Sequence, residues 1–527
     1  VDTRRILLSV ILATLFAAGR WLLLRRRSPD RTMPADPRWI PLRPADVSAG
    51  ALGFLAVLFL LKILPLLGRP LGLLRRDFLF PLWALWRTDD GAWWLLPPVM
   101  LFAAVLVAAR RGLLRRLPTS VFLVGSMALA VALWTSLSLT NGGFPEGLVW
   151  PFQRDADYYV DVARFPSLAS IWTEYLDRQP ELSLHGRTHP PGGLTVLFLL
   201  DRLAGSRLTL VCLGAVLLGA VTLLPLKFWA RHHLSEEESR AACLLWIFTP
   251  AVTLYGATCM DMVFAVPVVT SGALFIRGLA TETFPARAEG SRQALGWGFL
   301  SGLALAAGTL FTFSALLLAP VFCVLVASRL RRDTRLDWRP VVLLAAAGAT
   351  CATALLLLRP LAGFDWLACL RVAAAIDVEQ APAFLSLRYY LLTRLMGALD
   401  FLVLAGVATS PIWLRLLAPG PARRTGGPAP PDHDSLLLTS ARAAAVVAAG
   451  FLLAGVYKIG ETGRIWMFLL PFVLLPVCRA LSRSVSGRSR DGVASARETI
   501  LPSGTAALLC WGFAQSLLME FFLDTRW

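Results

Sequence analysis

Four short polar clusters interrupt an otherwise apolar chain, and each carries groups able to move a proton or hold an anion. Arg154-Asp155-Ala156-Asp157, followed by Tyr159 and Asp161, sets carboxylates beside a cation. An ionised carboxylate of this kind can serve as a general base. His185-Gly186-Arg187-Thr188-His189-Pro190-Pro191 offers imidazoles and a guanidinium. Asp261 stands between two apolar runs, where an ionisable group is costly unless it faces a wet cavity. Lys458-x-x-Glu461-x-x-Arg464 puts a carboxylate and a guanidinium at i and i+3 at the mouth of an apolar run. An arginine placed there suits a phosphate.

Each cluster also has a plainer reading. Asp155, Tyr159 and Ala163 recur at i, i+4 and i+8, which predicts one side of a helix beginning near Gln153. Asp155 would then sit in the first turn, where the helix dipole favours a carboxylate. The same pattern fits an interfacial amphipathic helix with an acidic polar face. His189 before the double proline fits a stiff loop-to-helix junction equally well. Asp261 fits an aspartate at a helix N-terminus, and Glu461 with Arg464 fits a salt bridge or a snorkelling arginine.

The elements that must position these clusters are membrane helices. The chain has 527 residues, 56% hydrophobic and only 16% charged, with mean hydropathy +0.63. That balance excludes an ordinary soluble globule. The net charge of +17 is almost all arginine, since the only lysines are Lys62, Lys227 and Lys458. The arginines fall in short loops between apolar runs, as the positive-inside rule expects, so no nucleic-acid partner is indicated. Eight scattered cysteines without a CxxC pair argue against a zinc site.

Apolar runs predict an all-α, polytopic integral membrane protein. Its spans fall at 6–24, 47–67, 92–109, 119–139, 208–229, 241–258, 262–280, 294–309, 311–328, 340–358, 388–415, 436–456, 464–480 and 500–521, about fourteen in all. The first is read as a retained span, not a signal peptide. Arginine-rich loops at 25–43, 110–116, 329–339, 415–424 and 479–497 alternate onto one side, the cytoplasmic one. Segments 140–193, 259–261, 359–387 and 457–464 then lie outside, with every polar cluster among them. Pro190–Leu203 is too short to span, at about 21 Å of helix against a core of roughly 30 Å. It is expected to be a re-entrant helix that returns to the outer face, flanked by amphipathic helices. Residues 418–434 read as a cytoplasmic loop. Residues 1–115 are expected to be extra N-terminal helices, and 116–527 the core, with an outer catalytic loop at 140–193.

In this order the motifs resemble the membrane glycosyltransferases of the C-type fold. The pattern is nearest to the protein O-mannosyltransferase and aminoarabinose-transferase group and to the actinobacterial mannosyl- and arabinosyltransferases. The matching pieces are Asp155/Tyr159/Ala163, His189-Pro190-Pro191, Pro250 to Asp261, and Glu461/Arg464, covering roughly residues 119–480. Two positions depart: Ala156 stands where many members have Glu, and Gly192 where Leu follows the prolines. The missing Glu leaves Asp157 as an alternative base and leaves metal binding open, with a divalent cation as one option and no certain cofactor.

The resemblance implies transfer of a sugar from a polyprenyl-phosphate donor to an acceptor hydroxyl, by an inverting displacement. The acceptor would be a glycan, lipid or protein at the outer (periplasmic) face of a bacterial inner membrane. Asp155 or Asp157 would be the base. Arg154, Tyr159, Arg187, His189, Asp261, Lys458, Glu461 and Arg464 would bind substrate, with Arg464 on the donor phosphate. A transporter or flippase of lipid-linked glycans is the rival reading. It would use the same charged cavity without chemistry.

Overall fold

The computed structural model describes residues 44–67, 82, 84–86, 91–280, 287–332, 337–380, 386–418, 433–455, 461–486 and 503–524. The expected first span at 6–24, Lys458 and nearly all of 418–434 lie outside the described residues. The described chain is almost entirely helical; Leu85–Trp86 pairs antiparallel with Leu523–Asp524.

Among the described residues, eight helices are long and apolar enough to cross a membrane, or up to nine if one bent pair counts as a span. The expected fourteen is not confirmed by the described residues. Composition registers apolarity but not breaks, and the breaks fall at proline and glycine. The run 241–258 divides into Glu236–Ile247 and Pro250–Tyr255. Thr249 is extended, and Pro250 has no N–H to continue the ladder. The run 388–415 bends by 115° between Tyr389–Ala405 and Thr409–Leu417. The bend sits at Gly406, whose φ of 114° suits glycine. The run 464–480 begins as two short turns before the Pro471–Ser486 helix.

Two ends of the bundle matter. At one, the Thr119–Ser138, Glu236–Ile247 and Pro471–Ser486 helices bring arginine-rich segments together: Arg115 pairs with Glu237, and Arg479 with Glu238. The other end holds the Asp261 start of the Asp261–Ala280 helix, the loops of 139–191 and the Thr462–Ile465 turn. The short Gly192–Ala204 helix ends at Gly205, in the left-handed region, and folds back on Leu208–Ala220 as a hairpin. Gly192 N donates to Leu310 O at 2.8 Å. A Cβ on Gly192 would lie 2.3 Å from that carbonyl, so no leucine fits where the related pattern has one.

Candidate functional site

The expected helix from Gln153 does not form. Trp150–Gln153 ends at Arg154, whose backbone is extended, and the next helix is only Tyr159–Val162. Asp155 therefore sits in a tight turn, closed by Asp157 N donating to Arg154 O at 2.8 Å. Asp155, Tyr159 and Ala163 therefore do not share one side of a helix; the Asp-rich turn, whose short polar side chains compete for the backbone, favours a break over a continuous helix.

That turn separates its two carboxylates. Asp155 is exposed and has no hydrogen bond or ion pair among the described residues. Asp157 is buried, accepts a bond from Tyr158 N at 2.8 Å, and faces His185 Nδ1 at 3.7 Å. Asp161 is fully buried. It accepts from Ser183 N at 2.9 Å and pairs with Arg164 at 3.1 Å, so it secures the loop. Burial pushes its carboxyl above the usual aspartate range despite those partners.

The histidine loop is fastened onto the same turn. His185 N donates to Ala156 O at 2.9 Å. The Tyr175 hydroxyl lies 2.5 Å from Gly186 O and 2.8 Å from His189 O. His189 Nδ1 is 3.2 Å from His185 O and from Thr188 Oγ1, which sets its ring orientation. The hub is Tyr158, whose ring centroid is 5.5 Å from His185, 5.7 Å from His189 and 5.9 Å from Phe264.

Phe264 is on the first turn of the helix that Asp261 opens. Asp261 lies 3.3 Å from Arg464 Nε, and Glu461 is 3.5 Å from Arg464 Nη2. Burial pushes the Tyr158 hydroxyl well above its ordinary pKa; Asp261 and Asp157 push it further, and Arg464 opposes them. Tyr158 thus stays protonated, a donor set among three charges. Burial works against the Arg464 charge, but Glu461 and Asp261 more than reverse that and keep it cationic.

The loop turn, the histidine loop, Asp261 and the Glu461/Arg464 turn, far apart in sequence, meet in one site. Other expected site residues are engaged differently. The Tyr159 hydroxyl donates to Asp201 at 2.7 Å, tying its helix to the Gly192–Ala204 helix. Arg154 stacks over Trp150, 5.4 Å from the ring centroid. Arg187 has a buried Nε without a hydrogen-bond partner, a donor left for a ligand oxygen. Sequence reasoning missed Tyr158 and Tyr175. A Tyr-Tyr pair beside two aspartates, in a chain with seven tyrosines, was the available signal.

Among the described residues, no group of three or more His, Cys, Asp or Glu is disposed to hold a metal ion. Asp157 faces an imidazole, and Asp261 and Glu461 face a guanidinium, an arrangement unlike a divalent-ion cage of oxygens.

No protein-family profile matches the chain, and no curated protein matches it. Among solved structures it is similar to the Archaeoglobus fulgidus oligosaccharyltransferase determined with zinc and sulfate. The similarity has a TM-score of 0.46 and 12% identity, over 75% of this chain and 53% of that one. The chain thus spans about half the length of that protein. A likeness so loose carries no weight on chemistry, and what the site does rests on its own residues.

Proposed function

We propose that this multi-pass membrane protein is a glycosyltransferase that moves a sugar from a polyprenyl-phosphate donor to an acceptor hydroxyl. Catalysis takes place at the outer, periplasmic face of a bacterial inner membrane. One observation carries the reading: Asp157, Tyr158, His185 and His189 share a site with Asp261, Glu461 and Arg464. That is a base-bearing loop set against a cation able to take a phosphate.

Asp155 is the proposed base, because unlike its neighbours Asp157 and Asp161 it has no partner to give up; Asp157 is the alternative and faces His185. The acceptor oxygen bonds the anomeric carbon as its proton passes to the carboxylate. The bond from that carbon to the phosphate oxygen breaks, and the phosphate leaves with the electron pair. Configuration inverts, and the leaving phosphate needs no general acid. Arg464 steadies that phosphate. Its contacts with Asp261 and Glu461, at 3.3 and 3.5 Å, place the guanidinium where the phosphate oxygens would arrive. Arg187 Nε supplies a further donor, and Lys458 a further cation.

The test is incubation of purified protein with radiolabelled polyprenyl-phosphate sugars and an envelope acceptor fraction, beside Asp155→Asn and Asp157→Asn. Transfer lost in one variant assigns the base. Wild-type rates in both sink the mechanism. A cysteine at Ser206 labelled only from the cytoplasmic side would sink the assigned orientation. The 115° break before Thr409–Leu417 favours a second reading, a transporter of lipid-linked glycans, since many secondary transporters build their sites on broken helices. Movement of a lipid-linked sugar across liposomes, with no transfer from any donor, would select it.

A further inference from the structure

The Leu387–Ala405 helix carries one carboxylate, Asp400, with no solvent exposure. Its Oδ2 accepts from Gly463 N at 2.7 Å, and its Oδ1 is buried without a hydrogen-bond partner. Gly463 seats directly on this helix. A Cβ there would lie 2.5 Å from Leu404 Cδ1 and 3.0 Å from Asp400 O. Asp400 and Leu404 are four residues apart, so both contacts come from one helix face.

The segment held this way needs holding. Thr462–Ile465 is a single turn of four residues, too short to sustain itself. Glycine at its second position adds backbone freedom. Glu461 precedes this turn and Arg464 belongs to it. A buried carboxylate is costly where an apolar side chain would pack, unless its hydrogen bond fixes something.

We propose that Asp400 is a positioning residue: by holding the Gly463 amide it fixes the Thr462–Ile465 turn and aims Arg464 at Asp261 and the phosphate site. Asp400 is fully buried beneath the turn and acts through Gly463, with no role at the reacting atoms. The lipid-binding part of the test rests on the function proposed above; the backbone part does not.

The experiment is hydrogen–deuterium exchange by mass spectrometry on the full chain in nanodiscs, paired with binding of a polyprenyl monophosphate. The variants are Asp400→Leu, Asp400→Asn and Gly463→Ala. In Asp400→Leu, peptides covering 461–467 should exchange roughly tenfold faster, the loss of about one buried hydrogen bond. Peptides of Glu236–Ile247 should be unchanged, and lipid affinity should fall with the loosened turn. Asp400→Asn keeps an acceptor for Gly463 N and should rescue both readouts. Gly463→Ala wedges the turn away and should copy Asp400→Leu, which keeps the test open if the leucine variant does not fold. Wild-type protection in Asp400→Leu overturns the proposal. So does an Asn variant as loose as the Leu variant, or a loosened turn with undiminished lipid binding. If the exchange pattern holds but the wild type binds no polyprenyl monophosphate, the positioning of the turn stands and only the phosphate reading fails.

Discussion

Two charged clusters sit at opposite ends of the bundle, and they are built differently. Around Glu236 the pairing is close: Lys227 Nζ and Arg240 Nε each lie 2.8 Å from its carboxylate, and Arg479 pairs with Glu238 at 2.9 Å. Thr119 adds a donor, and Arg240 also caps the Leu114 carbonyl. Lys227 is only 2% exposed, and this cluster accounts for its charge. At the other end Arg464 lies 3.3 Å from Asp261 and 3.5 Å from Glu461, Asp157 lies 3.7 Å from His185, Arg187 keeps a buried Nε without a hydrogen-bond partner, and Asp155 has no hydrogen bond or ion pair among the described residues. Closely paired charges hold helices together. A buried donor without a partner and an uncommitted carboxylate are groups left for a ligand.

The predictions are ways to break that contrast. The largest effect is expected for Asp155→Asn, which should lower sugar transfer roughly 10²–10⁴-fold with an unchanged thermal midpoint. A drop in midpoint with normal turnover would make Asp155 structural and erase the difference between the ends. Next, Glu236→Gln should destabilise by about 1–3 kcal/mol, because buried Lys227 loses its counter-charge. Turnover per folded molecule should hold; thermal unfolding and initial rates on one preparation separate the two.

The same cluster predicts a pH signature. Burial pushes the Glu236 carboxyl up, but Lys227 and Arg240 more than reverse this and bring it from 4.5 to about 2. A depressed carboxyl stabilises the fold above its unfolded pKa, and that support is lost as pH falls through the folded one. The gap in thermal midpoint between wild type and Glu236→Gln should therefore be full above about pH 4.5 and close towards pH 2. A gap independent of pH would mean that the carboxylate charge contributes nothing. The smallest effect is expected for Tyr159→Phe. It removes one hydrogen bond to Asp201, worth about 0.5–1.5 kcal/mol, and should leave turnover within a few-fold. A large loss of turnover there would return Tyr159 to the site.

Legibility in the sequence followed the range of the interactions. Asp261 and the Glu461/Arg464 pair were readable as ionisable groups at the ends of apolar runs, and Arg464 does meet Asp261. Asp400 was equally readable as an aspartate inside LMGALDFLVLAG, but the length of that apolar run hid it. The helix from Gln153 was misread because a periodicity of 3.6 residues states what a helix would look like, not that one forms. Tyr158 could not be ranked above Tyr159, since neighbouring tyrosines differ only in what the fold packs against them.

Composition and arginine spacing by themselves determined a helical membrane protein with its polar clusters gathered away from the arginine-rich loops. Transfer of apolar side chains and exclusion of charge from lipid depend on local sequence alone. Where helices break, which aspartate is committed, and which tyrosine joins the loop to Arg464 were decided by tertiary contacts. These outcomes turn on distances of a few ångströms between residues hundreds of positions apart, and no local pattern encodes such distances.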